Sequence, residues 1–158
     1  MGATFENLRV LQSADEIADG IWEVVIRWTP FARDVVGTQL ARAADSIGAN
    51  IAESFGRFHF GEKLQFLYYA RGSLFETKYW LNRALKRQLM NVEQGQTYAT
   101  RLTSLARQLN AFANGLKDQR KISSKQPNSI REISEEYVIN KPLFDEADLE
   151  WLQIIPSN

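Results

Sequence analysis

Two glycines, two glutamates and a histidine are the residues here whose types and spacing suggest chemistry. The stretch SIGANIAESFGRF (46–58) carries Gly48 and Gly56. In a loop, such glycines let backbone N–H groups close on a phosphate, as in nucleotide-binding turns. Glu53, paired with Glu76, offers the carboxylates that acid–base catalysis uses. His59 follows between Phe58 and Phe60. Each residue has a plainer reading. The apolar register runs straight through the stretch at helical spacing, no strand precedes it, and neither G-x-G-x-x-G nor G-K-[ST] is present. A polar residue at a helix contact ordinarily fixes register through hydrogen bonds, and no nucleophile, metal cluster or cofactor loop accompanies Glu53. The chain has no cysteine and one histidine, which removes thiolate chemistry and argues against zinc or haem. His59 reads as a packed turn residue. The expectation is a protein without catalytic residues, cofactor or metal.

Cations are the other residues that can do chemistry, by holding phosphate. The formal net charge is zero, but it is unevenly spread. Residues 1–50 hold 4 Lys and Arg against 7 Asp and Glu, residues 51–125 hold 13 against 5, and residues 126–158 hold 2 against 7. A central positive excess points to an anionic partner, because a cluster creates a local potential that the total hides. The competing reading is a surface that the acidic tail neutralises in cis. If phosphate backbone is gripped, the candidates are Arg57, Lys63, Arg71, Lys78, Arg83, Lys86 and Arg87, with Arg101, Arg107, Lys117, Arg120 and Lys121 extending the patch. These do not all share one helix face, so some are ordinary solvated charges. No helix-turn-helix, zinc-finger or RNP pattern supports base-specific reading.

Helices must position these residues. Ser13 and Glu16 form a capping-box pattern ahead of Ile17, Ile21, Val24 and Trp28, so the first helix is expected to run from there to Thr29-Pro30. The second begins between Pro30 and Val35, with Val36, Leu40, Ala43, Ile47, Ile51 and Phe55 at steps of three or four. Gly37, Ala41, Ala44, Gly48 and Ala52 lie on an overlapping face where small residues admit a neighbouring helix. Gly56 suits the left-handed residue that commonly ends a helix. The third helix carries Leu64, Leu67, Leu74, Leu81 and Leu85 on one face and Phe66, Tyr68, Tyr69, Phe75, Tyr79 and Trp80 elsewhere. Apolar on two sides, it needs a second partner, and a subunit interface is inferred. Asn91 and Gln94 cap the fourth, whose seam is Tyr98, Leu102, Leu105, Leu109, Phe112 and Leu116. Short linkers between four helices give an all-α fold, an antiparallel up-down-up-down four-helix bundle over residues 1–122. Residues 123–158, entered within the polar run KISSKQPNS (121–129), then form a linker and an acidic tail, in which Asp145 can cap a short docking helix presenting Leu149, Leu152 and Ile155 near Trp151. No apolar run spans a membrane and the N-terminus MGATFENLRV lacks a signal pattern, so a cytoplasmic protein is expected.

QLARAADSIGANIAESFGR (39–57) and FLYYARGSLFETKYWLNRAL (66–85) resemble the signature helices of the four-helix-bundle proteins named for 23S rRNA intervening sequences, a group that includes the accessory protein of diversity-generating retroelements. The resemblance covers roughly residues 14–119 and rests on NIAES with Arg57 and on A-x-G-S-L-x-E from Ala70 to Glu76. It implies an antiparallel bundle assembled as a ring-shaped homopentamer, and, for the retroelement members, nucleic-acid binding and association with a reverse transcriptase. Two positions depart from the family pattern: Ser54, where glycine is common, and Lys78, where an acidic residue is common. The combined expectation is a non-enzymatic oligomeric accessory factor that binds RNA or DNA without sequence preference. The alternative is a protein–protein scaffold with no nucleic-acid role.

Overall fold

A computed structural model describes residues 5–123 and 141–157, and every regular element among them is helical. These are α1 (Phe5–Val25), α2 (Pro30–Ala32), a π-helical turn (Arg33–Gly37), α3 (Thr38–Gly56), α4 (Phe60–Lys86), α5 (Val92–Ser123) and α6 (Glu146–Gln153). The residues expected to form a linker after Ser123, up to residue 140, lie outside the described part.

Contacts fix the directions of the long helices. The Cβ position of Gly37 faces Val25 while that of Gly48 faces Asp15, Ala14 and Leu11, so α1 and α3 run opposite ways. Leu85 meets Gly95 at one end of α4 and α5, and Arg120 lies 4.8 Å over the Phe60 ring at the other. Tyr98 on α5 packs at Gly20 on α1, which closes the circuit of four helices. Leu40, Ile47, Ile51, Leu67, Leu74, Leu81, Leu102, Leu105 and Leu109 have no exposed surface and form the centre.

Three boundaries differ from the sequence expectation. Helix α1 starts at Phe5, so Ser13 sits inside it. The apolar register begins earlier than Ser13, with Val10 already buried, and core packing outweighs a local capping signal. The same helix stops at Val25, because Pro30 serves as the first residue of α2 behind Thr29 at φ −58° and ψ 153°. Gly56 is the last residue of α3 without a left-handed conformation; the chain leaves through Arg57 at φ −89° and ψ 146°, a path open to any residue. The positive φ, 57°, belongs to Gln88 after α4.

The C-terminal segment 141–157 packs into the same core as the bundle. Leu143, Phe144, Leu149 and Leu152 are buried in one cluster with the leucines of α4 and α5. Asp145 caps α6 reciprocally: its carboxylate accepts from the Asp148 N–H at 2.9 Å, and the Asp148 carboxylate accepts from the Asp145 N–H at 3.0 Å. A helix of eight residues is too short to persist alone in water, so docking and helix formation are one event.

Candidate nucleic-acid interface

The sequence-predicted cations separate into groups with different surroundings. At the turn between α3 and α4, Arg57 ion-pairs with Glu53 at 2.9 Å and lies 4.6 Å over the Phe66 ring. Lys63, half-buried one helical turn on, receives the Ser54 hydroxyl on its carbonyl at 2.9 Å. Near the end of α4, Arg83 is half-buried and Arg87 exposed, and neither ion-pairs with a carboxylate among the described residues. The same holds for Arg101 and Arg107, both exposed on α5.

Arg71, Lys78 and Lys86 form the second group. They recur about every two turns along α4, on the side that faces the C-terminal segment. Arg71 donates from Nε to the Leu143 carbonyl at 2.8 Å and pairs with Asp148 at 3.3 Å. Lys78 is 0% exposed. Its Nζ donates to Asn82 Oδ1 at 3.0 Å and to the carbonyls of Trp151 at 3.2 Å and Ile154 at 2.6 Å. Lys86 Nζ donates to the Ser157 carbonyl.

Lys78 and Lys117, expected on phosphate, are therefore buried against the chain's own C-terminal segment. On α5, Lys117 donates to the Lys141 carbonyl at 2.9 Å. Neither ammonium can reach a phosphate while the segment is docked. Burial pushes the Lys78 amine down from 10.5 to about 8, because the charged form loses its water. Burial and the neighbouring Lys121 charge lower Lys117 too. What holds the Lys78 charge in place is the end of α6, whose last carbonyls are the negative pole of the helix, together with the Trp151 ring 4.8 Å away.

Residues on α5 that carry no charge complete the seat. Asn110 both donates to the Phe144 carbonyl at 2.8 Å and accepts from the Phe144 N–H at 2.7 Å. Gln96 donates to the Gln153 carbonyl, and Gln153 donates back to Thr100 Oγ1. Sequence reasoning missed Asn110, Gln96 and Thr100, and its only clue was that Asn110 adjoins the apolar seam at Leu109. Phe75 supplies the aromatic floor, with ring centroids 5.8 Å from Phe144 and 5.5 Å from Trp151. Part of the second apolar side of α4 is thus covered by this chain itself, while Tyr68, Tyr69 and Tyr79 remain exposed.

The other chemical candidates read plainly. Gly48 lies inside a continuous helix, and a Cβ there would come 3.0 Å from Asp15 Oδ1, so its smallness serves the approach of α1. Glu53 and Glu76 are both exposed. His59 is exposed rather than packed, in extended backbone ahead of α4. Among the described residues no group of three metal-ligating side chains occurs, and no helix is long and apolar enough to cross a membrane.

Comparison with known proteins finds similarity to one protein family and to solved structures. The family model described as 23S rRNA-intervening sequence protein matches residues 6–111, which leaves the C-terminal segment beyond it. A solved structure is similar at TM-score 0.64 and 23% identity, covering 69% of this chain and 98% of its own. It is a protein of unknown function from the S23 ribosomal protein family of Bacteroides thetaiotaomicron, and at that identity it supports the fold alone. No curated protein matches.

Proposed function

Because the chain belongs to the family of 23S rRNA-intervening sequence proteins, we propose that it is a non-enzymatic, homo-oligomeric accessory factor that binds RNA or DNA through backbone phosphates, in company with a polymerase such as a reverse transcriptase. The carrying observation is the set of cations on α4 and α5, Arg83, Arg87, Arg101 and Arg107, that no carboxylate neutralises among the described residues. Unneutralised guanidinium groups on rigid helices attract phosphate without reading sequence. The absence of catalysis is supported by Glu53, the residue best suited to acid–base work, being exposed and paired with Arg57.

Fluorescence anisotropy with labelled oligo(U) and oligo(dT) tests the reading. Binding is expected with no preference among base sequences, and its logarithm should fall linearly with log salt at a slope of about −0.7 per phosphate neutralised. Changing Arg83 and Arg87 to Gln should flatten that slope by about one unit or more. No binding at low salt, or an affinity indifferent to salt, removes the proposal. The scaffold reading retains one specific support: Trp22, Ile26, Phe31 and Val35 are exposed apolar residues around the α1–α2 end, suited to contact with another protein surface.

A further inference from the structure

The C-terminal segment is held by cations, yet few of them meet an anion. Arg71, Lys78, Lys86 and Lys117 all donate to main-chain carbonyls of the segment, and among the described residues Asp148 is the one carboxylate that reaches them. Lys78, Lys86 and Lys117 meet carbonyl oxygens and no carboxylate among the described residues. If the segment leaves, these cations return to water on one face of α4 and α5, with Phe75 among them stripped of the Phe144 and Trp151 rings. Cations spaced along a groove beside an aromatic ring are the chemistry that holds single-stranded nucleic acid, phosphates on the charges and a base on the ring. The docked segment supplies imitations of both: the Asp148 carboxylate lies on Arg71, and the Trp151 ring lies on Phe75.

We propose that the face beneath residues 141–157 is a second, latent site for single-stranded nucleic acid, and that the C-terminal segment is its built-in competitor. This rests on the nucleic-acid reading above. Phe75 stacks a base there, Arg71, Lys78, Lys86 and Lys117 hold the backbone, and strand and segment exclude each other.

The full chain tests it through Leu149→Asp with Leu152→Asp. Both leucines are buried on α6 and lie outside the proposed site, so the pair of changes displaces the segment without altering the face beneath. Displacement is verified by chymotryptic cleavage after Trp151 and retention of the bundle by circular dichroism. Asn110→Leu, which breaks the two bonds to Phe144, gives a second and milder route. Anisotropy with oligo(U) and oligo(dT) should show affinity rising about tenfold or more over wild type, the equivalent of one stacked base. Adding Phe75→Ala and Lys78→Gln to the displaced variant should cancel that gain. Equal affinity in wild type and displaced variants, with the segment verifiably released, overturns this inference and leaves the proposed function standing. Absence of binding in every variant at low salt removes both.

Discussion

At the scale of single residues, Ser54 and Lys78 each hold a connection in place. The Ser54 side chain, fully buried, donates from Oγ to the Lys63 carbonyl and ties the end of α3 to the first turn of α4. A glycine at 54 offers no such donor. Lys78 binds the end of α6, where an acidic residue would face carbonyl oxygens and be repelled by them. Its titration then couples docking to pH. With the amine at about 8 in the docked state and 10.5 as the ordinary value, docking disfavours the charged form; the penalty is fully present below pH 8 and is relieved as pH rises toward 10.5. Stability toward urea should therefore increase between pH 7.5 and 9.5 by about 1–2 kcal/mol, and by less in Lys78→Met. Lys117 acts in the same direction and remains in both proteins, so the difference between them reports Lys78. Identical pH profiles would detach the effect from this residue.

Among the helices, glycine marks where backbones and side chains come close, and its spacing in sequence does not say at which positions. A Cβ on Gly95 would lie 2.5 Å from Leu85 Cδ2, whereas one on Gly72 meets nothing within 4 Å. Gly95→Ala is expected to destabilise by about 1–3 kcal/mol, because Leu85 is mostly buried and has little room to shift. Gly72→Ala should stabilise by about 1 kcal/mol through helix propensity. Chemical denaturation of the two variants checks the opposite signs, and a shared sign would contradict the packing described. The periodicity of leucines made α4 and α5 legible, including the Asn91 cap, where the Gln94 N–H reaches Asn91 Oδ1 at 2.8 Å. Boundaries were less legible where a local signal met core packing, as at Ser13. The π-helical turn at Arg33–Gly37 had no periodic signature; it coincides with Gly37, where a Cβ would lie 2.5 Å from Val25 Cγ1.

For the whole molecule, basic and acidic stretches that are separate in sequence lie against each other in space, joined mainly through backbone carbonyls. The C-terminal segment covers part of the basic middle, but with backbone carbonyls and a single carboxylate, Asp148, among the described residues, so neutralisation in cis is slight. Which cations it covers was not legible, since the position of the segment depends on Asn110, Gln96 and the register of α6 as well as on the cations. The exposed apolar residues Trp22, Ile26, Phe31 and Val35 belong to this scale too. Static light scattering should return a mass several times 18.1 kDa, and Trp22→Asp with Phe31→Asp should lower it. A monomeric wild type would leave that patch without the role given to it here. The hydrogen bonds of the C-terminal segment join residues far apart in the chain, Lys78 to Ile154 among them. Closing so long a loop is entropically costly and α6 cannot form in isolation, so its amides constitute their own cooperative unit. Their hydrogen exchange is therefore expected to report sub-global opening of this one layer, ahead of the amides at the buried centre of α3 and α4.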